Sequence, residues 1–379
     1  MPSRGSDKAE ITIIGAGVIG LAVASRVARE GRQVYIIEQN DSFGKETSSR
    51  NSEIIHSGIY YPPGSLKAKT CLEGNAILYE ICQKYGIGYK KTGKLIVATN
   101  EQETEELESL FENGKQNGVR GLVMLPEAKV KRMEPNVKAI AAIFAPSSGV
   151  IDSHALMKYF DFKSREGGAR TAYRSKVVGI EKSADGYEIT IEDSSGTSSF
   201  PTRVLINCAG LNSDKIAELA GIDIDRAGYK LHYCKGEYFS VGNNKNQLVK
   251  RLIYPVPEPN RASLGIHLTL DISGRMRLGP NARYVDEIDY SVDQQQKGDF
   301  YNSVKGFLPF IEYEDLEPEM AGIRPKLQGP GEPFRDFVIR HEGDKGLPGL
   351  INLIGIESPG LTSAPAIAGY VERLVNEIL

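Results

Sequence analysis

Gly15-Ala16-Gly17-Val18-Ile19-Gly20 is the stretch that decides the fold. It follows an apolar run, Glu10 to Ile14, and opens residues 18–30, whose apolar positions recur at helical spacing. A second apolar run, Val34 to Ile37, ends on Glu38. Strand, glycines, helix, strand and acid in that order make a βαβ start of the dinucleotide-binding kind. Gly15 permits the tight turn, Gly17 lets the backbone approach a pyrophosphate, and Gly20 allows close packing of helix on strand. Val18 and Ile19 begin the helix whose N-terminal amides would face the anion. Glu38 is placed for ribose hydroxyls, and an acid there argues against a 2′-phosphate. A lone Gly-x-Gly-x-x-Gly is weak evidence; the flanking pattern gives it weight.

Outward from this loop, the spacing predicts helices near 66–85, 101–118 and 153–166 and a strand at Lys94-Leu-Ile-Val-Ala98. Alternating strands follow around 176–182 and 187–192, and Leu205 to Gly210 reads as a short buried strand ending in glycine. The span 228–325 is rich in strand formers and Pro/Gly turns, as in Arg251-Leu-Ile-Tyr-Pro-Val-Pro257. Residues 334–356 carry two more strands, and Ala364 to Leu379 a closing helix. Nucleotide-fold patterns at both ends of a β-rich middle predict interleaved domains. The first takes residues 1–88, 145–227 and 324–379; the second takes 89–144 and 228–323. No repeat or low-complexity segment interrupts them.

The whole chain has 379 residues, 46 basic and 49 acidic, for a net charge of −3. That balance fits globular domains and lacks the basic footprint of a nucleic-acid binder. Lys129, Lys131 and Arg132 read as a solvated helix face. No apolar run reaches the ~20 residues that span a bilayer. The leader Met1 to Lys8 has no apolar h-region, and Asp7 and Glu10 do not suit a transit peptide. Cys71, Cys82, Cys208 and Cys234 form no Cys-x-x-Cys pair, and the five histidines are scattered, so no metal site is expected. These features point to a reduced, cytoplasmic compartment, and they leave room for peripheral contact at the inner face of a membrane.

Two loops bear on which dinucleotide binds. A nicotinamide dehydrogenase would usually continue its parallel sheet through 40–130. Here a polar segment, Thr47-Ser48-Ser49-Arg50-Asn51-Ser52, follows the second strand and could line a pyrophosphate and the edge of an isoalloxazine. Gly355-Ile-Glu-Ser-Pro-Gly-Leu-Thr-Ser363 leads into the last helix, whose positive end could stabilise charge on a reduced flavin. An ordinary loop and an ordinary N-cap are the bland readings of the two.

These residues, with the strand ending at Gly210 and Ala321-Gly-Ile-Arg-Pro325, resemble the D-amino-acid-oxidase superfamily of flavoproteins. Within it, Arg50-Asn-Ser-Glu-Ile-Ile-His-Ser-Gly-Ile-Tyr-Tyr61 and Ser65-Leu-Lys-Ala-Lys69 are similar to the L-2-hydroxyglutarate dehydrogenase family. So are Gly93-Lys-Leu-Ile-Val-Ala98, Ala145-Pro-Ser-Ser-Gly-Val-Ile151, Tyr254-Pro-Val-Pro257, Leu264-Gly-Ile-His-Leu-Thr269 and Leu278-Gly-Pro-Asn-Ala282. The chain departs from that pattern at Glu53, where glycine is common, at Lys235, where arginine is common, and at Glu357. The segment between Ala282 and Ala321 is also shorter.

The resemblance implies an α/β and α+β architecture: an interrupted Rossmann-like FAD-binding domain with a β-rich, mixed-sheet substrate domain. It implies non-covalent FAD, held by Gly15, Gly17, Gly20 and Glu38 at the ADP half and by Thr47 to Asn51 at the pyrophosphate and flavin. Val177 would meet the adenine through its backbone, and Ala209 and Gly210 would lie beneath the dinucleotide. Gly360, Leu361 and Thr362 would meet the pyrimidine edge.

Oxidation of a small 2-hydroxy acid needs a cation for the carboxylate and a base for the hydroxyl proton. Arg324 suits the clamp, because guanidinium stays charged and binds carboxylate bidentately. His56 and His267 are the candidate bases. Lys235, Tyr61, Tyr238 and Tyr254 are candidates for a second substrate subsite, whereas Lys67 and Lys69 read as solvent-facing helix positions. The expected reaction is oxidation of an L-2-hydroxy acid, L-2-hydroxyglutarate or a close relative, with hydride transfer to flavin N5. The alternative is a flavin amine oxidase of glycine or D-amino-acid type, which needs no strong base. The electron acceptor (oxygen, a quinone or an electron-transfer protein) is left open.

Overall fold

The structure is a computed structural model that describes residues 9–257 and 264–379. The leader reading, on residues 1–8, lies outside the described residues. The first strand, Ala9–Ile14, is the centre of an eight-stranded sheet. It pairs in parallel with Val34–Ile37 on one side and with the end of Gly196–Asn207 on the other. Arg170–Ala172 and Leu350–Ile354 extend the parallel core outward. Both faces of Ala9–Ile14, Val34–Ile37 and Leu350–Ile354 are largely buried, which is why they read as near-continuous apolar runs, whereas Arg170–Ala172 is a partly exposed edge strand.

The expected short strand at 205–210 is the tail of a longer one, Gly196–Asn207. Its polar first half pairs antiparallel with Gly186–Asp193, and only its apolar second half enters the parallel core. The helix Val18–Val27 lies between the closing helix Gly360–Ile378 and Ser153–Glu166. The closing helix starts four residues before the apolar periodicity does, at Gly360.

The second sheet is mixed and nine-stranded among the described residues. Its strands come from two stretches, 94–145 and 232–326. Lys94–Ala98 pairs in parallel with Leu252–Pro255, which joins the two stretches, and His232–Val241 pairs antiparallel with Leu316–Lys326. The short helix Glu127–Met133 turns Lys129, Lys131 and Arg132 to solvent.

The two sheets are tied where backbones touch. Thr47 Oγ1 donates to the Ile323 carbonyl at 3.0 Å, and a Cβ at Gly322 would overlap the Arg50 carbonyl. Helix Leu66–Tyr85 packs against the closing helix through Gly74, where a Cβ would overlap the Thr362 carbonyl oxygen. Gly74→Ala gains at most ~1 kcal/mol of helix propensity and forces two backbones apart. A net loss of roughly 1–3 kcal/mol is expected, read as a lower midpoint in urea unfolding.

Candidate active site

One continuous cavity of about 1370 Å³ runs between the sheets. It exceeds the ~300–1,000 Å³ of a single small-molecule pocket, so it has room for a cofactor and a substrate together. At one end lie Gly15, Gly17, Val18, Ile19 and Glu38; at the other lie His56, His267 and Arg324.

The glycine-loop end is built by close approach. Gly15 has φ +101°, and a Cβ there would press on the Cys208 carbonyl. Gly20 faces away from the cavity, against Gly15, which makes it a packing glycine. The Glu38 carboxylate accepts the Ala16 amide at 2.7 Å and the Asn40 amide at 2.8 Å, so it fixes the loop as well as facing the cavity. Ser48 Oγ accepts the Val18 amide at 2.9 Å and thereby docks the Thr47–Ser49 turn onto the helix start.

Arg50 and Asn51 line the cavity, and Arg50 Nε is buried without a hydrogen-bond partner among the described residues. Ser49 is turned outward, donating to Glu46 O. Val177 also lines the cavity, at a register shift between Val177 and Gly179 that interrupts the strand ladder. Ala209, Gly210, Gly360 and Leu361 complete this wall. Thr362 lies behind it, accepting the His56 amide and donating to Ile54 O.

At the far end, the Nδ1 of His267 lies 2.8 Å from the Gly265 carbonyl. A carbonyl only accepts, so Nδ1 carries the proton and Nε2 keeps a lone pair. Burial lowers the His267 imidazole to about 3, aided by the nearby charges of Lys94 and Arg324, although the Gly265 bond opposes the fall. His56 is also lowered well below 6.5, by burial first and then by Lys94 and His267. Its Nε2 lies 3.4 Å from Ser358 Oγ, and its Nδ1 is buried without a hydrogen-bond partner among the described residues. Arg324 donates from Nη2 to Asn281 O at 2.8 Å and has no carboxylate partner among the described residues.

Tyr238 and Tyr254 line the same end, as does Tyr61. Tyr238 Oη shares a 2.8 Å hydrogen bond with Ser52 Oγ, and Tyr254 stacks on His267 with ring centroids 3.7 Å apart. Lys235 is not brought to the cavity. Gly236 and Tyr238 face it from strand His232–Val241, so strand alternation sends Lys235 to the other side. There its Nζ pairs with Asp289 at 2.6 Å.

Lys67 is corrected in the opposite sense. It is only 5 % exposed and pairs with Glu357 at 2.9 Å, whereas Lys69 is exposed as expected. Glu53 sits at φ +56°, a backbone conformation that favours glycine. Its carboxylate offsets that strain by accepting Ser153 Oγ at 2.6 Å and the Ser153 amide at 3.1 Å. Lys94 escaped sequence reasoning altogether. It is fully buried, its Nζ has no hydrogen-bond partner among the described residues, and it sits 3.7 Å from the Tyr254 ring centroid. The signal available was a lysine inside an apolar strand.

Residues 10–374 match the family described as FAD dependent oxidoreductase. The chain belongs to the FAD dependent oxidoreductase family. It is 38 % identical over 411 residues to the mitochondrial L-2-hydroxyglutarate dehydrogenase of Arabidopsis thaliana, covering 98 % of this chain and 84 % of that one. It is 31 % identical over 402 residues to L-2-hydroxyglutarate dehydrogenase of Indibacter alkaliphilus, covering 96 % and 97 %. Among solved structures, it matches the L-alpha-glycerophosphate oxidase of Mycoplasma pneumoniae with FAD bound, with a TM-score of 0.86 and 27 % identity, over 98 % of this chain and 95 % of that one. Glycine oxidase of Bacillus cereus shares the fold, with a TM-score of 0.78 at 23 % identity over 98 % and 95 %.

FAD is the cofactor of this FAD dependent oxidoreductase, and the cavity fits it. Gly15, Gly17, Val18 and Glu38 would hold the ADP half, and the orphaned Arg50 Nε marks an anionic neighbour beside the Thr47–Asn51 turn. Glu38→Ala removes a charged acceptor at the loop, a loss of about 1.5–3 kcal/mol. At least tenfold weaker FAD retention is expected, measured by flavin released on gel filtration.

Proposed function

We propose that this chain oxidises L-2-hydroxyglutarate, or a close 2-hydroxy acid, to the 2-oxo acid. The observation that carries the reading is that a single cavity joins the glycine loop to two neutral histidines and an arginine that has no counter-ion among the described residues. Relatives at 31–38 % identity named L-2-hydroxyglutarate dehydrogenase support it.

Arg324 clamps the C1 carboxylate in a two-point hydrogen-bonded pair. That anchors C1 and limits how C2 can turn. His267 accepts the hydroxyl proton at Nε2, the nitrogen left free by the Gly265 bond. His56, whose Nε2 faces Ser358, orients the hydroxyl. Tyr254, Tyr238 and Tyr61 wall the site and keep bulk water from the hydroxyl. When bound, FAD supplies the two-electron acceptor for the C2 hydride.

Removing a general base costs about 10²–10⁴-fold. His267→Ala should therefore lower the rate of anaerobic flavin bleaching by that range, and His56→Ala by a smaller factor. L-2-hydroxyglutarate should bleach the wild-type flavin, and 2-amino acids should leave it yellow; the reverse pattern would sink the reading. Because burial lowers both imidazoles, the free enzyme keeps its bases unprotonated well below pH 6.5. The acid limb of the kcat/KM profile is expected below pH 6; because burial also lowers Lys94 to about 7, only a limb centred at 7 that persists in Lys94→Met would contradict the histidine assignment.

A further inference from the structure

Three buried charges line the cavity beside Arg324 and take no part in the chemistry above: Lys67, Lys326 and Glu357. Lys67 and Lys326 are each 5 % exposed, and Glu357 is 8 % exposed. Lys67 Nζ donates to Glu357 Oε1 at 2.9 Å, and Lys326 Nζ donates to Oε1 at 3.1 Å and to Oε2 at 3.3 Å. The two cations, with Arg324, hold the Glu357 carboxyl down at about 2, against its burial.

The charges do not balance. Among the described residues two ammonium groups face one carboxylate, which leaves one net positive charge buried, with only the Phe334 and Phe337 rings beside Lys67 to offset it. Each ammonium has three N–H donors, so the pairing with Glu357 does not exhaust them.

Their placement is determined by the fold. The Asp336 carboxylate accepts the Leu66 and Lys67 amides at the start of helix Leu66–Tyr85, fixing Lys67 at the cavity wall. Lys326 is two residues beyond Arg324 on strand Leu316–Lys326, so alternation turns both to the same side, about 6.7 Å apart along the strand. Both cationic groups therefore face one cavity, so the two carboxylates of a short dicarboxylate can each meet one of them. Arg324 and the lysine pair together present a net charge of two to a dianion.

We propose that Lys67 and Lys326, bridged by Glu357, form the subsite for the second carboxylate of the substrate and set the preference for a 2-hydroxy dicarboxylate over a monocarboxylate. Glu357 holds the two ammonium groups together against their repulsion and leaves them enough net charge for one more carboxylate. This rests on the 2-hydroxy acid reading and names the other end of that substrate.

The test is titration of the FAD-loaded full chain with glutarate and with butyrate, neither of which can be oxidised at C2 as an alcohol, followed by flavin absorbance. Wild type is expected to bind glutarate at least tenfold more tightly than butyrate. Lys67→Met and Lys326→Met should each reduce that ratio to about one, and Lys326→Arg should retain most of it. Equal wild-type affinities, or a ratio that survives both methionine variants, would overturn the proposal. If methionine variants lose FAD, the wild-type and Lys326→Arg ratios still decide it. Failure of the oxidation reading is seen separately, as preferential glutarate binding without bleaching by L-2-hydroxyglutarate.

Discussion

Positive charge without a matching counter-ion among the described residues, held in and behind the cavity wall, is the constraint on which the catalytic end of this molecule depends. Among the described residues, Lys94 is buried on a strand with no hydrogen-bond partner and burial lowers its ammonium to about 7, Arg324 bonds only a carbonyl, and Lys67 and Lys326 share one carboxylate. Each arrangement is costly in a folded protein with nothing bound. A chain keeps such charges buried only if the surrounding structure over-determines them. Here the strand ladders of Lys94–Ala98 and Leu316–Lys326, and the Asp336 cap, supply that determination.

The opposite end obeys a different constraint, which is contact. The glycine loop works because the carbonyls of Gly15 and Cys208 lie where side chains would otherwise be. The same close approach recurs at Gly322 against Arg50 and at Gly74 against Thr362. These contacts bring the second sheet and helix Leu66–Tyr85 onto the cofactor domain, so the histidines and Arg324 share one cavity with the glycine loop. Loosening any of them would widen the gap in which the reacting groups must meet.

What was legible in the sequence follows from which features are local. The glycine loop, its flanking strands and the helix Leu66–Tyr85 are read from periodicity and turn chemistry within a few residues. Arg324, His56 and His267 could be nominated because few residue types can do their chemistry. Lys235 could not be placed, since its side of the strand depends on a register set by distant pairing with Leu316–Lys326. Lys67 misled for a related reason. A lysine on an amphipathic helix normally faces water, and only the tertiary position of Glu357, 290 residues away, makes burial tolerable. Lys94 was visible as a charge inside an apolar strand, yet nothing local says what lies across from it.

The pairing of neutral histidines with buried cations has a consequence for the order of events. An imidazole lowered to about 3 is a poor base by itself, and part of its lowering comes from Lys94 and Arg324. A carboxylate on Arg324 cancels one of those charges, and a second on Lys67 and Lys326 adds negative potential to the same cavity. Both changes favour an imidazolium, so His267 gains basicity when a dianion is bound. The empty site thereby holds an unprotonated base that is too weak to pull protons from stray alcohols. On the proposed mechanism, an anionic substrate would supply, with its own carboxylates, the field that makes its hydroxyl proton transferable, so that charge recognition and base strength would be one property of this cavity.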